Sequence, residues 1–276
     1  MKIAVIGAGT MGAGIAQVFA SHDHEVCLCD LNLELAEKGR ERIDQALSRL
    51  VAKGRMEQAA RDRIMAGIKP VILDQLGDCA LVIEAVKEDI GIKRNLFAAL
   101  AEICGPDTLF ATNTSALSVT ELSAGLGRPL IGMHFFNPAP VMELVEVVSG
   151  LETPPEQADR VMEIARGIGK TPILVSEAPG FVVNRILIPM INEAVTVLYE
   201  GTASAEDIDR AMKLGAGHPM GPLGLADLIG LDVVLSIMET LHQETGDSKY
   251  RPCPLLKKMV RGGLLGRKTA RGFFEY

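Results

Sequence analysis

His134 ends the apolar run PLIGMHF, and Glu146, twelve residues on, stands inside the apolar run LVEVV. A histidine that serves as a general base needs a second group to orient its ring, and a carboxylate brought back by a turn is the usual one. An unpaired carboxylate in an apolar run is costly if it is buried, so Glu146 asks for a partner. His134 is the candidate. Glu143 is the competing acid, but it opens the strand and reads as solvated. Taken alone, a histidine at a strand end is more often structural than catalytic, so the elements that would carry the pair decide its meaning.

The first of those elements is a β–turn–α–β unit of about 30 residues. KIAVI (2–6) runs into the turn GAGTMG, a helix of small residues follows, and the strand EVCLCD closes on Asp30. Gly7, Gly9 and Gly12 make G-x-G-x-x-G, a weak pattern by itself and a strong one between a strand and a helix with an acid about 20 residues further on. Gly7 permits the tight turn, Gly9 lets the backbone approach a pyrophosphate, and Gly12 lets the helix pack on the strand. Thr10 and Met11 open the helix, whose N-terminus offers partial positive charge to a phosphate. A purely structural glycine turn is the alternative. Asp30 would accept hydrogen bonds from an adenosine ribose and repel a 2′-phosphate, which favours NAD over NADP; Lys38 or Arg42, if either reached the ribose, would reverse this.

Further strands are expected at 69–73, 80–86, 108–112, 129–135, 142–148 and 171–175, with helices between several of them. Two charged helices, 32–53 and 57–66, should project from the sheet. After Ala178-Pro179-Gly180 the strand patterns stop and helical ones take over at 181–200, 204–214, 223–244 and 253–261, with Pro189 expected to kink or restart the first. The expected architecture is α/β: a Rossmann-type doubly wound sheet over 1–180, then a smaller all-helical domain over 181–276. The segment ATNTSALS (111–118) should open at the carboxyl edge of that sheet, where ligands bind in such folds. Asn113 and Ser115 could hold a nicotinamide or a substrate oxygen, or could cap the next helix; Ser118 reads as that cap. Asn184 enters the first helix of the second domain.

The 276 residues are 48% hydrophobic and only 4% aromatic with no Trp, so the core must be aliphatic. A net charge of −7 argues against a nucleic-acid or anionic-membrane binder. The five cysteines are scattered, with no pair at zinc-binding spacing; buried reduced thiols, no metal site and a cytoplasmic location are expected. No apolar run reaches the length of a membrane span.

GAGTMGAGIA, NTS (113–115), HFFNP (134–138), LVEVV, PGFVVNR (179–185), KLGAGHPMGP (213–222) and GRKTARGFF (266–274) together resemble the 3-hydroxyacyl-CoA dehydrogenase family, in order and over essentially the whole chain. The length resembles that of the short bacterial members, often 3-hydroxybutyryl-CoA dehydrogenases. The resemblance implies NAD as cofactor, an acyl-CoA substrate and a homodimer through the C-terminal helices. It implies His134 and Glu146 as the catalytic pair, with Ser115 and Asn184 holding the substrate oxygen. It also implies Glu88, Lys93, Asn137 and Lys268 on the nicotinamide side and Lys53 as a coenzyme A contact. Glu88 and Lys93 could equally be a solvated helix start. Lys53 lies in a stretch, 38–63, with eight Lys/Arg against four Asp/Glu. Fatty-acid oxidation, butanoate synthesis and polyester turnover all use the implied reaction.

Two rivals remain. A β-hydroxyacid dehydrogenase opens similarly but uses a lysine just ahead of a helical asparagine; Gly180 stands four before Asn184 and no lysine is near. A non-enzymatic NAD-binding relative, crystallin-like or redox-sensing, would keep the dinucleotide loop without turnover.

Overall fold

The computed structural model describes residues 1–276. The chain divides into two compact units, Met1–Ala178 and Pro179–Tyr276. In the first, β1 (Lys2–Ile6), α1 (Thr10–Ala20) and β2 (Glu25–Cys29) are followed by the hairpin of α2 (Leu33–Ala52) and α3 (Gln58–Ala66). Then come β3 (Ile68–Val71), β4 (Leu81–Glu84), α4 (Ile90–Ile103), β5 (Leu109–Thr112), α5 (Val119–Ser123), β6 (Leu130–Phe135), β7 (Leu144–Ser149), α6 (Pro155–Gly167) and β8 (Thr171–Ser176). The eight strands form one sheet in the order β3-β2-β1-β4-β5-β6-β7-β8. The order turns around at β1, the point where a doubly wound sheet opens a crevice at the carboxyl ends of its strands.

Every neighbouring pair is parallel except β6 and β7, which run antiparallel. The reversal is possible because only eight residues join the two strands, too few for a helical crossover. The α2–α3 hairpin is less exposed than its charge suggests. Ala36, Gly39, Ile43 and Leu47, spaced three and four apart, make a buried stripe. A Cβ on Gly39 would come within 2.5 Å of the Ala8 side chain, so the helix can lie close only because that residue is glycine. Arg40 donates to the Ile68 and Met65 carbonyls and holds the hairpin to β3.

The second unit holds α7 (Val183–Tyr199), α8 (Ala205–Gly215), α9 (Pro222–Ile229), α10 (Leu231–Thr245) and α11 (Pro254–Arg261). Pro189 neither ends nor restarts α7; the buried Ile188, Ile191 and Val195 hold the helix through the missing N–H. The single helix expected over 223–244 is instead two. Gly230, at φ +104°, turns the chain between α9 and α10 in a conformation that only glycine adopts readily. Asp209 accepts from the Leu223 and Gly224 N–H groups, satisfying orphan donors at the start of α9. Asn192 uses both ends of its amide, donating to the Arg251 carbonyl and accepting from Cys253 N–H. All five cysteines are buried and unbridged, and no helix is long and apolar enough to cross a membrane.

The carboxylate of Asp227, 1% exposed, closes this unit. It accepts from Phe273 N–H at 3.0 Å, Phe274 N–H at 2.9 Å and the Tyr276 hydroxyl at 3.2 Å. Replacing Asp227 with Ala leaves these donors without their acceptor, and a loss of about 2–4 kcal/mol is expected in urea unfolding. A loss below about 0.5 kcal/mol, the range of ordinary surface changes, would show that the clamp contributes nothing.

Candidate active site at the carboxyl edge of the sheet

The glycine turn is built as the pattern predicts. Gly7 takes φ +96°, and a Cβ there would meet the Ala85 carbonyl oxygen at 2.5 Å; a Cβ on Gly12 would meet the Gly7 carbonyl oxygen at 1.6 Å. Both glycines are demanded by the packing of the chain itself. Gly9 is different, because a Cβ there would meet nothing within 4 Å. It caps α1 with no side-chain hydrogen bond to the first-turn amides, and Gly9 and Thr10 are exposed. A bare turn over uncapped amides is the shape a pyrophosphate needs. Asp30 is fixed beside it, its two oxygens accepting from Ala8 N–H at 2.6 Å and Leu31 N–H at 2.7 Å. Neither nearby cation is turned to a ribose phosphate: Lys38 pairs with Glu34, and Arg42 donates to the Ala8 carbonyl.

One strand over, Lys93 is 1% exposed and bridges two carboxylates, Glu84 at 2.6 Å and Glu88 at 3.2 Å. Lys93 and Glu84 make a buried ion pair, which Glu88, 37% exposed, joins from the surface, so the lysine is not the solvated charge that a helix start alone allows. Glu88 Oε1 accepts from the Thr114 hydroxyl at 2.6 Å, Ser115 N–H at 2.8 Å, the Ser115 hydroxyl at 3.2 Å and Ala116 N–H at 3.2 Å. Burial opposes the charge on Glu88, yet Lys93 and these donors outweigh it and hold the carboxyl below its ordinary value. Ser118 accepts from Glu121 N–H and caps α5, leaving Ser115 to the turn. Asn113 is committed through its Oδ1, which accepts from Phe135 N–H at 2.8 Å and ties the end of β5 to the end of β6.

His134 and Glu146 are directly opposed residues of the antiparallel β6–β7 pair, so their side chains leave the same face. His134 Nδ1 lies 2.8 Å from Glu146 Oε2; the histidine is 6% exposed and the glutamate 0%. A carboxylate only accepts, so Nδ1 carries the proton and Nε2 is left as the basic nitrogen of the neutral ring. The Phe136 ring packs on the imidazole with centroids 4.5 Å apart. Glu143 is exposed, as expected of the competing acid.

The other expected residues fall as follows. Asn137 is exposed in the loop between β6 and β7, and Lys53 is exposed where α2 ends. In the second unit, Asn184 is a buried residue of the first turn of α7, and Lys268 is paired with Asp232 at 2.5 Å.

Sequence comparison adds the decisive observation. The model of the 3-hydroxyacyl-CoA dehydrogenase NAD-binding domain matches residues 2–178, and that of the same family's C-terminal domain matches residues 180–276. The chain belongs to the 3-hydroxyacyl-CoA dehydrogenase family. It is 54% identical to a 3-hydroxybutyryl-CoA dehydrogenase of Clostridioides difficile, over 100% of this chain and 99% of that protein. It is 50% identical to a probable 3-hydroxybutyryl-CoA dehydrogenase of Bacillus subtilis strain 168, over 100% and 97%. The crystal structure of (S)-3-hydroxybutyryl-CoA dehydrogenase PaaH1 from Ralstonia eutropha superposes with a TM-score of 0.95 at 46% identity, covering 100% of this chain and 98% of that one. Residues 2–178 are thus the NAD-binding domain of a 3-hydroxyacyl-CoA dehydrogenase.

Two residues of this 3-hydroxyacyl-CoA dehydrogenase site carry no mark in the sequence reading. Glu84 ends an apolar strand, LVIE, and its position resembles that of Glu146: a charge inside a buried run. That shared anomaly was the available signal. Lys170 precedes β8, and its ammonium donates to the Ala139 carbonyl at 2.7 Å and the Met142 carbonyl at 2.8 Å, clamping the loop that joins His134 to Glu146. Burial pushes its pKa down.

Because Glu88 ionises more readily in the folded chain than the ordinary 4.5, it stabilises the fold above that value and ceases to do so as pH falls through its folded pKa. The wild-type urea midpoint is therefore expected to fall more steeply than that of Glu88→Gln below about pH 4.5, with the two slopes alike from about pH 5.5 to 7. The difference is damped by solvent, since the side chain is 37% exposed. Parallel curves down to about pH 3 would show that the turn does not depend on the charge.

Proposed function

We propose that the protein interconverts a (3S)-3-hydroxyacyl-CoA, 3-hydroxybutyryl-CoA first among them, and the 3-ketoacyl-CoA with NAD(H). The observation that carries this reading is the His134–Glu146 pair: a basic Nε2 on a ring whose other nitrogen is held by a buried carboxylate. The names borne by the most similar relatives point to the same chemistry.

In the oxidation, His134 Nε2 takes the proton from the C3 hydroxyl. Glu146 holds the ring at that angle and stabilises the imidazolium that forms, since a carboxylate opposite Nδ1 gains a full charge partner as the ring protonates. Bound NAD⁺ supplies the acceptor for the hydride from C3. Ser115 holds the substrate oxygen from the 113–116 turn, where Glu88 fixes its backbone and hydroxyl. Asn184 shares that task by its place in the PGFVVNR motif. These two stabilise negative charge as it develops on the oxygen, Ser115 by turning its one hydroxyl proton from Glu88 to that oxygen. Gly7, Gly9, Thr10, Met11 and Gly12 shape the pyrophosphate turn, and Asp30 takes the adenosine ribose. Glu88, Lys93, Asn113, Asn137 and Lys268 form the nicotinamide side. Lys53 meets the coenzyme A phosphates. In the reverse direction the protonated His134 is the acid.

The same reading places the protein in the cytoplasm and pairs two copies through the C-terminal helices. Ile186 of α7 is 68% exposed and Leu214 of α8 81% exposed, apolar surface that a second copy would cover.

The test is oxidation of NADH, followed by its absorbance, with acetoacetyl-CoA, beside NADPH at equal concentration. Turnover with NADH and little with NADPH is expected. His134→Gln should lose roughly 10²–10⁴ in turnover while still binding NADH, the size of one general base. Near-normal turnover of a folded His134→Gln would sink the assignment. Failure of the wild type with short and long 3-ketoacyl-CoA alike would leave the non-enzymatic NAD-binding reading.

A further inference from the structure

Glu84 has no exposed surface and no unused side. Its Oε1 accepts from Val86 N–H and from the Lys93 ammonium, both at 2.6 Å, and its Oε2 accepts from the Thr112 hydroxyl at 2.6 Å. Thr112 in turn accepts from Thr114 N–H, so its own proton is directed at Glu84. All three neighbours are donors, an environment that suits an ionised carboxylate and not a protonated one. Glu88 is surrounded in the same way: its Oε1 takes hydroxyl and amide protons from 114–116, and its Oε2 faces Lys93. The trio therefore holds two carboxylates and one ammonium, a surplus of one negative charge at the ends of β4 and β5.

On the reading proposed above, Glu88 and Lys93 face the nicotinamide. That ring is cationic in NAD⁺ and neutral in NADH, so a fixed charge beside it acts on one oxidation state and not the other. We propose that Glu84 is a positioning residue that fixes Lys93 and supplies the surplus negative charge that shifts the site's cofactor preference toward NAD⁺. Lys93 without Glu84 would neutralise Glu88 alone, and the surplus would vanish. The carboxylate has no exposed surface, so its effect on the cofactor passes through the lysine and through the field.

The experiment is equilibrium binding, not turnover. Dissociation constants for NADH, from its fluorescence, and for NAD⁺, from displacement of NADH, are measured for the wild type, Glu84→Gln and the double variant Glu84→Gln/Lys93→Gln. A tenfold change in this ratio is about 1.4 kcal/mol, a size open to one unit charge acting at an effective dielectric of about 20. The ratio Kd(NAD⁺)/Kd(NADH) is expected to rise about tenfold in Glu84→Gln and to return within about twofold of the wild type in the double variant, which restores the surplus. A purely structural role would not give that return. An unchanged ratio in folded Glu84→Gln, or a double variant that stays with the single one, overturns the proposal. If Glu84→Gln alone does not fold, the double variant decides: a ratio more than about threefold from the wild type overturns it, and agreement supports it. Wild-type protein that binds neither nucleotide sinks the dehydrogenase reading itself, whereas binding of both with an unmoved ratio sinks only the role of Glu84.

Discussion

A carboxylate with no exposed surface in the middle of an apolar strand must be paired, and Glu146 is such a group. In a wholly parallel sheet its neighbour would be set by a distant crossover. Here β7 turns back directly from β6, so register puts His134 opposite it. The reversal then imposes its own demands. The connecting loop must bring its carbonyls back over the sheet, and buried carbonyls need donors. Lys170 supplies them to Ala139 and Met142. The end of β6 must not drift from β5, and Asn113 ties it through Phe135 N–H. Gly132 lets the two strands lie together, since a Cβ there would come within 2.7 Å of Val148. The lysine, the asparagine and the glycine are all consequences of keeping one histidine–carboxylate pair in register.

Much of this could be read from the chain. The glycine turn, the acid after β2 and the change of texture after Ala178 each follow from local rules that the rest of the protein does not override. The His134–Glu146 pairing was legible because a charge inside LVEVV is an anomaly with few solutions. What escaped was long-range. Antiparallel β7 is invisible, because a buried strand has the same composition in either direction. Gly230 reads as one tolerated glycine in a helical pattern; only the structure shows it at positive φ between two helices. Asn113 was read as a ligand-binding group or a cap, and the partner of its Oδ1 lies on another strand. Lys170 carries no local signal for the same reason, since its acceptors are about 30 residues away. The exposed hairpin reading erred in the opposite sense. The four basic residues of α2 hid a buried stripe of small and aliphatic ones, because charge content describes one face of a helix and says nothing of the other.

The carboxyl edge thus holds two buried acids in similar strand settings with different nitrogen groups opposite them. Glu84 faces the compact ammonium of Lys93; Glu146 faces the flat ring of His134, which turns one nitrogen to the acid and the other away from it. A constant field and a transferable proton are incompatible demands on a single ion pair, because any group that gives up its proton changes the field it makes. Placing them on separate strands, β4 and the β6–β7 pair, lets each be met by the side chain suited to it. The link between them is short: Thr112, bonded to Glu84, and Asn113, bonded to the residue after His134, are consecutive in β5 and the turn it opens. The two buried pairs are therefore held in register by the backbone of one strand, and the peptide joining Thr112 to Asn113 is where a distortion of either pair would reach the other.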